Sequence, residues 1–285
     1  ADLGFVLGVA GEIGRALSGP AVIVTKSTVP VGTNRAVAKA VLAANPQADF
    51  DIASNPEFLR EGVAIADFMQ PDRIVVGVET ERARVRMAAL YASLVAKGSP
   101  LIETGIESAE LIKYASNAFL ATKVTFINEI ASLCEKVGAD VMAVSQGMGM
   151  DQRIGPRFLQ PGPGYGGSCF PKDAKALAHI GRDIGVPLQI VDAVIGANDG
   201  VKQRMIEKLV ALCDGKLAGK TIAVFGVTFK PDTDDMREAP SLTIVPALVA
   251  GGAKVRVTDP QGRHDGEALL PGVTWVDDPY EAATG

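Results

Sequence analysis

Short apolar runs and amphipathic stretches alternate over the first hundred residues. Residues 21–26 (AVIVTK) and 73–78 (RIVVGV) are rich in β-branched residues, and 50–54 (FDIAS) reads as a further strand. Between and after them, residues 33–44 and 81–96 carry helical periodicity. Strands alternating with helices predict a parallel sheet with short connections. Residues 1–17 also read as a helix. The sheet therefore opens without the strand and glycine turn at which a doubly wound sheet normally takes its cofactor.

The period changes at Ser108. From there to Val137 the chain is helical, without Gly or Pro for thirty residues. Glu107 and Ser108 supply capping chemistry and Gly138 a stop. Further helices are expected over 140–146, after the glycine run ending near Gly185, and over 191–213, interrupted by Gly196 and Gly200. This middle section is all-α. The α/β pattern restarts at Lys220, with strands at 221–227, 253–258 and 273–276 and a helix at 241–250. The last sheet stops without closing. Three sections follow, 1–104, 105–214 and 215–285.

Composition narrows the class. The chain has 285 residues, 47% hydrophobic and 21% charged, enough for two or three units with their own cores. A net charge of −5 with no basic block argues against a nucleic-acid partner. No apolar run reaches membrane-spanning length, so no membrane partner is expected. Three separated cysteines argue for a reducing, cytoplasmic setting. Two histidines and no paired cysteine spacing make a metal site improbable.

The chemistry concentrates at Gly-Pro-Gly-Tyr-Gly-Gly-Ser-Cys-Phe-Pro-Lys-Asp, residues 162–173. Cys169 ends a glycine run directly before a helix, with Pro171 suited to its first turn. A helix N-terminus and Lys172 both favour a thiolate there, and Asp173 adds a carboxylate beside it. On spacing alone, a glycine-rich surface loop with an incidental cysteine is the commoner case. The run also matches G-x-G-x-x-G from Gly162 to Gly167, but no core strand precedes it, so it does not read as a pyrophosphate cradle. The second glycine pattern, Gly8 to Gly14, lies inside a helical pattern and fails the same test.

Other candidates sit at element ends. Lys113 and Asn117, four apart on the long helix, lie about 40° apart around its axis and can hold an oxyanion or hydroxyl. A solvated polar stripe is the commoner use of such a pair. Glu57 and Glu61, just after a strand, are spaced one helical turn apart and suit an acid/base pair, although capping and surface charge are commoner. Thr28 and Lys230 lie at the carboxyl ends of strands, where ligands collect. Cys134 and Cys213 fall in apolar helical patterns and read as core. A cysteine hydrolase around Cys169 lacks a placed histidine, since His179 reads as a helix-face residue.

Five ordered motifs change this weighing. They are Lys-Ser-Thr-Val-Pro-Val-Gly-Thr, Asn-Pro-Glu-Phe-Leu-Arg-Glu-Gly, the Lys113–Asn117 helix, Gly-Gly-Ser-Cys-Phe-Pro-Lys-Asp and Phe-Lys-Pro-Asp-Thr-Asp-Asp-Met-Arg-Glu. Together they resemble the UDP-glucose/GDP-mannose dehydrogenases over nearly the whole chain. The resemblance implies two incomplete Rossmann-like parallel-sheet units flanking a central helical catalytic and dimerisation domain. It implies NAD-dependent four-electron oxidation of UDP-glucose to UDP-glucuronate, with Cys169 carrying a thiohemiacetal and then a thioester. Lys113 and Asn117 would stabilise oxygen charge, while Asp173, Glu57 and Thr28 would complete the catalytic set. Thr28, Glu61, Lys172 and Arg237 would lie near NAD. Glu57, Phe58, Leu59, Lys113, Asn117, Phe158, Gly162, Gly164, Tyr165, Gly166, Phe229 and Lys230 would contact the sugar nucleotide, with Arg153 reaching in from a homodimer partner.

GDP-mannose, UDP-N-acetyl-mannosamine and a non-catalytic nucleotide-binding or assembly module are the alternatives. The family's amino-terminal glycine fingerprint and late arginine segment are not in this sequence. The expectation is an internal fragment that binds NAD poorly and turns over little.

Overall fold

The computed structural model describes residues 3–284 and is mixed α/β. The first two residues of the expected 1–17 helix and the last residue of the 215–285 section lie outside that range. The chain forms two compact units, Ala1–Ser116 and Asn117–Gly285, and the division falls inside one long helix.

The first unit contains α1 (Gly4–Ala16), β1 (Ala21–Thr25), α2 (Thr33–Ala44), β2 (Phe50–Ser54), α3 (Ala64–Met69), β3 (Ile74–Val78), α4 (Glu81–Val95), β4 (Leu101–Thr104) and the start of α5 (Ile106–Val137). Its sheet order is β1-β2-β3-β4. The β1/β2 pair is parallel, with Ala21 opposite Phe50, and so is β3/β4, with Ile74 opposite Leu101. The β2/β3 pair is antiparallel, with Ala53 opposite Val78, which corrects the all-parallel expectation at one step. Its connection carries only the six-residue α3. Such a helix spans about 9 Å, too little to run back along a strand of about 17 Å.

Alternation along the strands decides what each face covers. Ile23 and Ile52 pack with Ala10, Val37 and Val41 from α1 and α2. The neighbouring Val22 and Ala53 face Met87, Tyr91 and Leu94 of α4. Strand β4 was not foreseen. It is a four-residue edge strand with no buried position, so its sequence has no apolar run.

The second unit contains the rest of α5, then α6 (Val141–Gly149), α7 (Phe170–Asp183), α8 (Gln189–Leu212), β5 (Thr221–Phe225), α9 (Ser241–Ala250), β6 (Lys254–Thr258), α10 (Arg263–Leu269), β7 (Thr274–Trp275) and α11 (Pro279–Ala283). Its sheet is parallel throughout, ordered β5-β6-β7. Val255 and Val257 of β6 pack on Val245 and Leu248 of α9. Helix α5 begins two residues earlier than the capping pattern suggested, so Glu107 lies in its first turn. Its end is as expected: Gly138 has φ +74°, and Ala139 N–H reaches back to the Cys134 carbonyl at 3.0 Å. Cys134 is buried, whereas Cys213 is only half-buried, because it caps α8 at the edge of the core.

The glycine run before α7 is docked onto protein. Gly167 N–H donates to the Arg237 carbonyl at 2.8 Å. A Cβ on Gly166 would lie 2.4 Å from the Glu238 carbonyl oxygen, and one on Gly167 would lie 2.6 Å from the Phe229 ring. Lys175 of α7 pairs with Glu238 at 3.0 Å. These glycines permit a backbone approach that any side chain would block. Gly166→Ala should therefore lower stability by about 1–3 kcal/mol, as overpacking against fixed backbone does. Gly162→Ala, where a Cβ meets nothing within 4 Å, should change it by less than about 0.5 kcal/mol. Denaturant midpoints measure both, and equal losses would contradict the docking.

Candidate active site

In the first unit, three chain segments converge on Glu57. The residues after β2 are irregular through Arg60, and 61–63 form a turn. Glu57 and Glu61 therefore do not share a helix face, which corrects the expected pairing. The reason is local: Glu57 Oε2 accepts the Leu59 N–H at 2.7 Å, bending the chain away from a helix. Its other oxygen meets Lys113 Nζ of α5 at 3.2 Å and the Thr28 hydroxyl at 3.4 Å. The Lys113 side chain is only 4% exposed. A buried ammonium is costly unless it is paired, and Glu57 supplies the pairing charge. Phe58 lies beneath both cations of this region, 3.9 Å from the Arg73 guanidinium carbon and 5.3 Å from Lys113 Nζ. Such contacts are each worth about 0.5–2 kcal/mol.

In the second unit, Cys169 occupies the N-cap position of α7, and its carbonyl accepts the Asp173 N–H at 2.8 Å. Its thiol is half-exposed and lies 3.5 Å from the Ser168 hydroxyl. Lys172 is bonded to Asp173 rather than to the thiol. Asp173 is fully buried and its Oδ2 accepts from Asn117 Nδ2 of α5 at 2.6 Å. Phe170 packs tilted against Phe158 and meets Tyr165 edge-on, at centroid distances of 5.9 and 6.1 Å. Phe158 itself has φ +65°, a strained setting for a bulky residue. Burial, with Asp199 and Glu238 nearby, pushes the Tyr165 phenol up to about 12. It stays protonated throughout the neutral range.

Two buried asparagines hold the loop that the motif reading singled out. Asn128 of α5 accepts the Gly162 N–H at 2.8 Å. Asn198 of α8 accepts the Tyr165 N–H at 2.8 Å and donates to its carbonyl at 3.1 Å. Gly164, at φ +113°, leaves space that a Cβ would take from Asn198. Neither asparagine was foreseen, yet both interrupt otherwise apolar helix stripes, and that was the available signal. Phe229 N–H donates to the Asp235 carbonyl, and Lys230 Nζ lies 5.4 Å from the Phe229 ring. Arg237 pairs with Asp235 at 2.8 Å, and the exposed Arg153 with Asp151 at 2.5 Å.

The glycine pattern from Gly8 to Gly14 lies within α1, where a Cβ on Gly14 would sit 2.7 Å from the Val41 carbonyl. The first pattern lies inside a helix, and in the second the Gly162, Tyr165 and Gly167 amides are already bonded within the protein. Thr28 and Glu57 lie beyond the carboxyl ends of β1 and β2, the edge at which ligands collect in such sheets. Among the described residues no helix is long and apolar enough to cross a membrane.

Comparison with known proteins bears on the whole chain. Three domain models of the UDP-glucose/GDP-mannose dehydrogenase family match: the NAD binding domain at 1–95, the central domain at 107–200 and the UDP binding domain at 223–285. A UDP-glucose 6-dehydrogenase of Rhizobium meliloti (strain 1021) is 52% identical over 285 residues, covering 99% of this chain and 65% of that protein. UDP-glucose 6-dehydrogenase TuaD of Bacillus subtilis (strain 168) is 48% identical over 95% of this chain and 58% of its own. The solved UDP-glucose dehydrogenase of the archaeon Pyrobaculum islandicum superposes with a TM-score of 0.93 at 40% identity, covering 99% of this chain and 66% of that one. The chain thus spans about two thirds of the length of such relatives or somewhat less. With all three domain models matched in order along it, the chain belongs to the UDP-glucose/GDP-mannose dehydrogenase family.

Proposed function

We propose that the protein oxidises the C6 alcohol of UDP-glucose to the carboxylate of UDP-glucuronate, with Cys169 as covalent nucleophile. The observation that carries this reading is the setting of Cys169. It is a half-exposed thiol at the start of α7, one turn from a buried Asp173 that is bonded to Asn117. NAD, when bound, supplies the hydride acceptor for each of two oxidations. Thr28, Glu61, Lys172 and Arg237 are the residues proposed to hold it.

At the aldehyde level, Cys169 Sγ bonds to C6 and the carbonyl oxygen takes a proton, giving a thiohemiacetal. Loss of that proton and a second hydride leaves a thioester. Water then adds to C6, the C–S bond breaks, and the thiol returns with the carboxylate product. Lys113 and Asn117, one turn apart on α5, would share the oxygen charge that develops at C6. Asp173 and Glu57 position water and accept protons. Covalent capture keeps the aldehyde from leaving between oxidations.

Phe58, Leu59, Phe158, Gly162, Gly164, Tyr165, Gly166, Phe229 and Lys230 are proposed to receive the nucleotide sugar. Arg153 would come from a second copy. Support for a homodimer lies on α5, where Phe119, Phe126 and Leu133 are 66%, 46% and 57% exposed. At seven-residue spacing they form one apolar stripe.

NADH absorbance with UDP-glucose tests the reading, with GDP-mannose as the competing substrate. Two NADH per UDP-glucuronate are expected. Cys169→Ser should lower complete turnover by roughly 10³-fold or more while retaining substrate binding. Full turnover by that variant, or a preference for GDP-mannose, would refute the assignment. Self-association is tested by sedimentation: the parent should be dimeric at micromolar concentration and Phe119→Asp/Phe126→Asp monomeric. A parent that sediments as a monomer would sink the dimer.

A further inference from the structure

Glu110 is a buried carboxylate that the proposed chemistry does not use. It lies on α5 three residues before Lys113 and is 2% exposed. Its oxygens accept from Gly32 N–H at 2.6 Å, Asn34 N–H at 2.9 Å and Asn34 Nδ2 at 2.7 Å. Gly32 and Asn34 are at the start of α2, whose N-cap residue is that same Gly32, at φ +89° and without a side chain. Two of the amides at this helix start, those of Gly32 and Asn34, are therefore satisfied by a carboxylate from another helix. Negative charge is also favoured there. A buried carboxylate needs such partners, and these bonds have the lengths of charge-assisted ones.

The capped segment leads directly into Thr28. At its upstream end the Thr25 carbonyl accepts the Asn55 N–H at 2.9 Å, and at its downstream end Glu110 grips Gly32. Between them Thr28 reaches Glu57 Oε1, the same oxygen that Lys113 contacts. One rigid helix thus carries both Lys113 and the group that fixes the Thr28 loop. We propose that Glu110 is a positioning residue, an anionic cap from α5 that holds Thr28 and Lys113 in common reach of Glu57. Only the turnover part of the test rests on the function proposed above.

Glu110→Gln keeps the shape but turns an amide donor toward a backbone donor. Hydrogen exchange on the full chain should accelerate about tenfold or more at Gly32 and Asn34, the scale of one lost hydrogen bond to a charge. Residues 37–44 should keep the parent rates, and the Thr28 methyl resonance should shift. Val41→Ala, which thins the core under the same helix, should accelerate all of α2 and leave that methyl in place. In turnover, Glu110→Gln should lower kcat about tenfold with little change in KM, and Thr28→Ala/Glu110→Gln should be no slower than Thr28→Ala alone. Unchanged exchange at Gly32 and Asn34, an unmoved Thr28 methyl, or additive kinetic effects would each overturn the proposal. A parent without turnover would defeat the proposed function, while exchange and the methyl signal would still decide the role of Glu110.

Discussion

The structure depends on the need to satisfy polar groups buried along α5. Glu110, Lys113, Asn117 and Asn128 are all at most 7% exposed. None can be left unpartnered cheaply, since a buried polar group without a hydrogen bond costs roughly 1–3 kcal/mol and a charge more. Two of the partners, Glu57 and Gly162, lie in irregular segments, and the other two are the N-terminal turns of α2 and α7. Glu110 takes the start of α2, and Lys113 takes Glu57. In the second unit Asn117 takes Asp173, and Asn128 takes the Gly162 amide. Apolar packing would place these loops near the helix without specifying their conformation. The directional bonds specify it, which is why the loops that carry the candidate chemistry need no secondary structure of their own.

The glycine run at 162–167 illustrates how one composition can serve opposite ends. In a nucleotide-binding turn, glycine lets a phosphate approach the backbone. Here it lets residues 229 and 237–239 approach instead. That docking ties the segment leading into Cys169 to the loop carrying Phe229 and Lys230 within one unit. The Gly162, Tyr165 and Gly167 amides are thereby taken up by protein acceptors. The glycines therefore contribute the precision with which two candidate substrate-binding segments meet.

Much of the fold was legible because it obeys simple periodicities. Strands β1, β3 and β5 are short apolar runs, β2 and β6 alternate apolar with polar positions, and α5 is a glycine-free stretch ended by Gly138. What was not legible lacked a local signal. β4 is a half-exposed edge strand, and the antiparallel β2/β3 step depends on the path of a connection rather than on either strand. For the site, Lys113 and Asn117 were readable as a helix-face pair and Asp173 as a carboxylate beside Cys169; only the family resemblance joined them, and Asn117 and Asp173 do meet through a hydrogen bond. Glu57 and Glu61 were readable only as a spacing, and the spacing misled because a bend at Leu59 replaces the helix. Glu110, Asn128 and Asn198 went unread. Their function lies in bonds to backbone groups 33–78 positions away in sequence, which no window along the chain contains.

The occupancy of the carboxylates limits how the proposed chemistry can begin. Glu57 Oε2 already holds a backbone N–H, and its Oε1 faces both Lys113 and Thr28. Asp173 holds Asn117 on one oxygen and Lys172 on the other. The half-exposed Cys169 thiol has only the Ser168 hydroxyl at 3.5 Å as a recorded polar contact. An incoming sugar that replaces the long Lys113 and Thr28 contacts would release Glu57 Oε1, whereas the 2.6 Å bond from Asn117 would keep Asp173 in place. In the proposed roles, Glu57 is thus the carboxylate freed by substrate for proton transfer, while Asp173 takes part with its bond to Asn117 intact.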